Sequence, residues 1–482
     1  MKQQLLEILK PFGQEHLLAF WDSLSDTEQV TLTKQIKAID LTQLTRLFEH
    51  RNDPVESLIL ADRASDPPAY KFSTVTDPTP TRANVKISAE EAIVAGNEAL
   101  GKGKVGAILV AGGQGTRLGF PHPKGMYSIG PVSGAPLFQI HFEKMLALSR
   151  RYGYRLPHSM PYCIMTSPAT HGETLGFLEK NDYFGLNKDD VFIFCQGTMP
   201  AVSMENGKIL LDKKGSIALS PDGHGGMLAA IAKKADGGGN SVLDRLRERG
   251  IEYLFYNQVD NPLVRICSPE FLGYHILSGS ELTSQVIRKR FPTDKVGNIV
   301  EVDGRLYVIE YSDLPEEIAR RTNSDGSLQI WAGSIAVHAF NVGLLDRASK
   351  NADSLPFHTA RKKVSFVDLE TGERRKPEKE NAVKFERFIF DLLPSASNAV
   401  VVEVDVPNHY APLKNAPGSP SDSPETVKRD ISSLHTSWLE KAGAVVASDT
   451  PIEISPIYAD SPEAVREKVK PGTLFDKPTY LC

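Results

Sequence analysis

Arg117 and Lys124 put two fixed cations into and just behind a turn that carries Gly112, Gly113 and Gly115. The turn follows Val105 to Val110, a run of apolar or small residues that reads as a buried strand of a parallel sheet. Glycine leaves no Cβ between a ligand and the backbone amides, so Gly112, Gly113, Gln114, Gly115 and Thr116 offer donors to an anion. Donors and cations at the carboxyl end of a strand describe a triphosphate site. The planar fork of Arg117 suits the β- and γ-phosphates, and the compact ammonium of Lys124 suits the α-phosphoryl group. Two other phosphate loops are excluded. A dinucleotide fingerprint counted from Gly113 and Gly115 needs glycine where Leu118 stands. A kinase-type loop ends in Gly-Lys-Ser/Thr, whereas Lys124 precedes Gly125 and Met126.

Other residues of chemical interest stand near strand-like runs. Asp260 closes Tyr253 to Val259, where a carboxylate either binds a divalent cation bridging phosphate oxygens or caps the next turn. Gln196 and Gly197 follow Val191 to Cys195; the amide of Gln196 carries both the donor and the acceptor that a uracil edge requires, and equally those that cap a loop. Gly223, flanked by Asp222 and His224, lets the chain approach a nucleotide closely. Glu310 lies in the alternating segment Leu306 to Tyr311, beyond Gly297, and by itself reads as an exposed strand carboxylate.

Together these blocks resemble the UDP-N-acetylhexosamine pyrophosphorylases, eukaryotic-type uridylyltransferases within the wider UDP-sugar pyrophosphorylase group. The resemblance is carried by Gly112 to Gly119 with Pro123 to Tyr127, by Gln196-Gly197 with Pro200-Ala201, and by Pro221 to Gly223. It continues through Val259 to Asn261, Val308 to Ser312, Ala332-Gly333 and Pro412 to Asn415 in the family's order. It implies an enzyme that forms UDP-N-acetylglucosamine and pyrophosphate from UTP and N-acetylglucosamine 1-phosphate. The rival reading is a uridylyltransferase for glucose 1-phosphate or for several sugar 1-phosphates. In that reaction a sugar phosphate oxygen, already anionic, attacks the α-phosphorus, so charge neutralisation and positioning matter and a catalytic triad does not.

Residue roles follow from the resemblance. Arg117, Lys124 and Lys414 are implied to be catalytic, with Lys414 reaching back to the phosphates from the C-terminal part. Gly112 to Thr116, Gln196 and Gly223 are implied to hold the nucleotide, and Asp260 to bind Mg²⁺ or Mn²⁺. Gly297, Glu310, His224 and Ser334 fall at sugar positions. The last two depart from the family, which has asparagine at both; sugar identity is the property those departures touch.

The elements needed to position these groups alternate along the chain. Strand-like runs at Val105, Pro161 to Met165, Val191 to Cys195 and Tyr253 to Val259 are spaced by helical stretches such as Thr170 to Glu179 and Met227 to Lys233. The pattern predicts an α/β, Rossmann-like three-layer fold with a mixed, mostly parallel sheet; the family adds the glycosyltransferase-A-like nucleotidyltransferase form. Gly304 predicts a hairpin within Gly297 to Ser312. Ser88 to Glu91 is a capping box opening a helix. The expected division is 1–100, helices with a connector punctuated at Asp66, Asp77 and Thr79; 101–393, the catalytic domain; and 394–482, a C-terminal subdomain with a loop and a helix near Pro424. Leu5, Leu6, Ile8 and Leu9, then Leu17, Leu18, Phe20, Trp21 and Leu24, read as apolar helix stripes.

A net charge of −5 gives no reason to expect nucleic acid or an anionic membrane as partner. Cys163 and Cys195 are taken to end apolar runs, and the four cysteines are too dispersed for a metal pair, which favours reduced thiols and a cytoplasmic setting. Phe385, Phe388 and Phe390 read as core packing, and His338 and His358 lack a zinc spacing.

Overall fold

Val105–Val110 is a strand, and its unbroken apolar sequence reflects burial on both faces. The structure, a computed structural model, describes residues 1–51, 56–70, 86–153, 159–234, 238–351 and 354–482. The strand belongs to a ten-stranded sheet. Its members are β1 (Ala69–Tyr70), β2 (Val105–Val110), β3 (Tyr162–Thr166), β4 (Val191–Cys195), β5 (Tyr253–Gln258), β6 (Leu282–Arg288), β7 (Gly297–Val302), β8 (Arg305–Ile309), β9 (Ala332–Asn341) and β10 (Ala399–Glu403). The order is β1-β10-β6-β9-β5-β2-β3-β4, with the β7–β8 hairpin attached through β9. All main-path pairs are parallel except the two that β9 makes, so the sheet is mixed and mostly parallel, as expected.

Helices on the crossovers position the strand ends. Leu137–Tyr152 and His171–Lys180 connect β2 to β3 and β3 to β4. Ala89–Gly101 opens on the anticipated capping box, with Glu91 N–H donating to Ser88 Oγ at 3.1 Å and Ser88 N–H to Glu91 Oε2 at 2.9 Å. The hairpin turns at Gly304, with φ +79°. Asp66 to Pro68 leads extended into β1, while the connector's punctuation at Asp77 and Thr79 lies outside the described residues. Cys163 is second in β3 rather than at its end, because the strand continues to Thr166 on its pairing with β4; Cys195 does close β4. None of the four cysteines is in a disulfide.

Two compact units are interleaved along the chain. One is made of Ser57–Cys195, Ile231–Asn351 and Leu392–Cys482, and holds the large sheet and the helix Pro424–Lys441. The other is made of Met1–Glu56, Gln196–Ala230 and Ala352–Asp391. In this second unit the N-terminal leucines pack on Val202, Ile209, Val383 and Phe385 of short strands brought from much later in the chain. The N-terminal stripes are narrower than expected. Leu5 and Leu9 are buried, whereas Ile8 is 39% exposed. Residues around Leu17 and Trp21 form two 3₁₀ turns, Glu15–Leu18 and Trp21–Ser23, because Pro11 and the left-handed Gly13 have already broken the helix. Among the described residues no helix is long and apolar enough to cross a membrane.

Candidate active site

The glycine turn folds back on itself. Gly115 N–H donates to His122 O at 2.9 Å and Lys124 N–H to Gly113 O at 3.0 Å, which brings the residues behind Arg117 alongside the glycines. Ser167 Oγ, beyond the end of β3, donates to Gly112 O at 2.7 Å and fixes the first glycine. A Cβ on Gly115 would stand 2.8 Å from Phe120, so glycine is required there by packing; at Gly113 it would meet nothing within 4 Å. Thr116–Leu118 and Lys124–Met126 are 3₁₀ turns. Gln114, Thr116 and Arg117 are exposed on this loop, and Lys124 is half-buried.

Register places Asp260 beside that loop. Gln258 of β5 pairs with Val110 of β2, so Asp260 and Gly112 leave the sheet at the same level on adjacent strands. Leu413, from the C-terminal part of the chain, then joins three expected residues. Its N–H donates to Asp260 O at 2.8 Å, its carbonyl accepts from Lys124 Nζ at 3.2 Å, and Lys414 follows it. Lys124 Nζ lies 3.7 Å from Asp260 Oδ2. Lys414 Nζ donates to Tyr410 Oη at 3.0 Å. Burial opposes the charge on Lys414, but Tyr410 and the carboxylates of Asp260 and Asp422 outweigh it and hold its pKa above the ordinary lysine value. Asp422 has its own pKa raised by burial, with Lys414 pulling the other way. Among the described residues no group of three or more His, Cys, Asp or Glu side chains could hold a metal by itself.

Gly297, Glu310 and Ser334 also come together. Gly297 pairs with Ser334, and a Cβ on Gly297 would lie 3.3 Å from Glu310 Oε1 and 2.9 Å from Val308. Glu310 follows β8 half-buried rather than standing as an exposed strand carboxylate, because the hairpin folds it over Gly297. Ser334 lies near the start of β9, which runs opposite to β5 and so begins at the edge where β5 ends. Its Oγ accepts from Ala336 N–H at 3.3 Å, beside an irregular step in the β6–β9 pairing.

Gln196, Gly223 and His224 belong to the other unit and form a second group. Gln196 is buried, its Nε2 directed at Gly223 O at 3.2 Å and Asp222 Oδ1 at 3.4 Å. Gly223 has φ +84°, and a Cβ there would collide with the Arg387 backbone. Burial raises the pKa of Asp222, with Arg387 and Gln196 acting against it. His224 stacks on Phe388 at 5.2 Å and lies against Phe390 at 5.4 Å. Its Nδ1 accepts from Ile389 N–H at 3.3 Å, which places the ring proton on Nε2. Burial, helped by His358, lowers its pKa to about 4, so the ring is neutral near pH 7.

Several partners carried no signal in the sequence. Phe385 and Phe390 are buried as read, whereas Phe388 is half-buried; Phe388 and Phe390 also contact His224. His358 pairs with Asp391 at 2.8 Å. Tyr410, Asp422 and the Leu413 peptide lie about 150 residues or more from Asp260 in sequence, and no spacing rule connects them.

The family model for UTP–glucose-1-phosphate uridylyltransferase matches residues 74–420. The chain is 36% identical over 449 residues to the UDP-N-acetylglucosamine pyrophosphorylase of Saccharomyces cerevisiae, covering 92% of each. It is 34% identical over 497 residues to UDP-N-acetylglucosamine diphosphorylase 2 of Arabidopsis thaliana, covering 99% of this chain and 94% of that one. The solved uridine diphosphate N-acetylglucosamine pyrophosphorylase of Trypanosoma brucei shares the fold, with a TM-score of 0.81 at 24% identity over 99% of this chain and 98% of that one. By this match and these identities, the chain belongs to the UTP–glucose-1-phosphate uridylyltransferase family of nucleotidyltransferases.

Proposed function

We propose that the protein transfers a uridylyl group from UTP to N-acetylglucosamine 1-phosphate, releasing pyrophosphate and UDP-N-acetylglucosamine. The observation that carries this reading is the convergence of Lys124, Asp260 and Lys414 on the peptide of Leu413 beside the glycine turn. The relatives' names give the sugar.

The chemistry follows from charge. An oxygen of the sugar phosphate attacks the α-phosphorus, the bond to the β-phosphate oxygen breaks, and pyrophosphate leaves with that electron pair. Arg117 and the turn amides hold the β- and γ-phosphates, while Lys124 and Lys414 neutralise charge on the transferring phosphorus and its attacking group. Neither lysine needs to exchange a proton. Gln196 and Gly223 serve the uracil, and Gly297, Glu310, His224 and Ser334 the sugar. A lone carboxylate beside phosphates fits Mg²⁺, which keeps several waters and takes one or two carboxylates together with substrate oxygens. Asp260 would hold that ion or Mn²⁺, and the ion would supply further charge neutralisation to the phosphates.

One observation favours the rival sugar. His224 with Nδ1 occupied offers a single donor, and Ser334 a single hydroxyl already turned to Ala336, where amides would each offer donor and acceptor. Discrimination between sugars therefore weakens by about 0.5–1.5 kcal/mol, a roughly threefold to tenfold change. The test is the ratio of UDP-N-acetylglucosamine to UDP-glucose formed from UTP with N-acetylglucosamine 1-phosphate and glucose 1-phosphate in competition. N-acetylglucosamine 1-phosphate should dominate, with measurable side activity; dominant UDP-glucose formation would reverse the assignment.

A further inference from the structure

The loop that carries Asp260 leaves β5 at Gln258, and the carbonyls beyond it have no strand partner. Side chains of the helix Leu137–Tyr152 take three of them, those of Val259, Pro262 and Val264. His141 is fully buried, with Nε2 3.0 Å from Val259 O, the carbonyl directly before Asp260. A carbonyl only accepts, so the ring donates from Nε2; Nδ1 is buried without a partner. One turn on, Lys144 Nζ donates to Pro262 O and, at 2.9 Å, to Val264 O. The two residues are three apart and lie on one helix face. A lysine has three donors and so serves two carbonyls with one charge.

We propose that His141 and Lys144 are positioning residues: together they clamp the loop on both sides of Asp260, at the Val259 carbonyl before it and at the Pro262 and Val264 carbonyls after it, and thereby aim its carboxylate. The rest of the loop is already held from other directions. Val259 N–H donates to Val110 O at 3.0 Å, Leu413 N–H grips Asp260 O, and the Asn261 side chain spans His409 O at 2.8 Å and Ala411 N–H at 3.1 Å. Those contacts do not reach the carbonyls of Val259, Pro262 and Val264, which the side chains of the helix hold. A magnesium-type ion demands near-ideal geometry, so a carboxylate free to swing binds it poorly. The inference rests on the reading of Asp260 as the metal ligand.

The experiment measures Mn²⁺ bound by the full-length protein with UTP present, from the free-ion electron paramagnetic resonance signal. His141→Phe keeps the ring and removes the donor, His141→Gln returns a donor, and Lys144→Met keeps the length and removes the ammonium. Gln139→Ala is the control, since Gln139 on the same helix bonds Glu143 at 2.8 Å and not the loop. His141→Phe and Lys144→Met should weaken Mn²⁺ binding about tenfold or more, as outer-shell substitutions do. His141→Gln should recover most of the affinity, and Gln139→Ala should not change it. Sugar phosphate KM should stay within about twofold while the Mg²⁺ requirement for kcat rises, a split that general damage would not produce. Native Mn²⁺ affinity in folded Lys144→Met overturns the proposal even if His141→Phe does not fold. Equal weakening by Gln139→Ala overturns it also. Asp260→Asn separates the two readings: native affinity in that variant removes the metal role itself, whereas its loss beside unaffected His141→Phe and Lys144→Met removes only the clamp.

Discussion

The peptide of Leu413 faces a carbonyl with its N–H and an ammonium with its C=O, and so brings Asp260, Lys124 and Lys414 within reach of one another. At this scale function depends on charge. Arg117→Ala and Lys124→Ala should each lower kcat by roughly two orders of magnitude or more with the fold retained, as for lost charge stabilisation in the transition state. Steady-state kinetics on folded variants decides it; near-native turnover in both would exclude the loop from the chemistry. The raised pKa of Lys414 has a consequence of definite sign. The group stays protonated well above neutral pH, so loss of its proton should give no break in the pH–rate profile below about pH 10. A break below that pH that moves in Lys414→Arg would contradict this account. Arg117, Lys124 and Asp260 were legible because they follow strand-like runs at the carboxyl edge of the sheet. The backbone of Leu413, which bonds both Lys124 and Asp260, was not, because a hydrogen bond between distant segments leaves no local pattern.

Elements were most legible where a local rule decides the conformation. Ser88 and Glu91 satisfy each other's backbone donors within one turn, so the capping box at the start of Ala89–Gly101 needs no tertiary help. The same helix also shows where local reading stops. It crosses Pro269–Leu277 so closely that a Cβ on Gly96 would collide with the Pro269 backbone, and one on Gly273 with that of Ala92. Both glycines lower helix propensity, and only the crossing explains them. Gly273→Ala should therefore destabilise by about 1–3 kcal/mol or more, although alanine is the better helix former. Denaturant unfolding of the variant would measure it, and a stabilised Gly273→Ala would show that the helices separate without cost. The 3₁₀ turns at Glu15–Leu18 and Trp21–Ser23 are the converse case. Apolar spacing suggested a helix, but the backbone break at Pro11 and Gly13 took precedence over periodicity.

Across the molecule, buried neutral histidines set a dependence on pH. His141 and His275 are fully buried, and burial lowers their pKa to about 3 and about 4. The unfolded chain takes those protons near pH 6.5 and the folded chain does not, so stability is complete above that pH and falls as pH drops from about 6.5 towards 4. At pH 5 each costs on the order of 2 kcal/mol. Thermal unfolding at pH 7.5 and 5.5 should show the loss, and His275→Gln should shrink it; a Tm independent of pH over that range would refute it. The sequence by itself determined the mostly parallel sheet, the glycine turn, the family and the residues at the strand ends. Those follow from periodicity, turn chemistry and motif spacing, all of them local. Tertiary structure alone decided that β9 enters the sheet antiparallel, that the N-terminal helices share a unit with Gln196–Ala230 and Ala352–Asp391, and that Leu413 closes over Asp260. Each of these pairs segments far apart in the chain, and which segments meet is settled by burial and hydrogen-bond satisfaction over the whole fold.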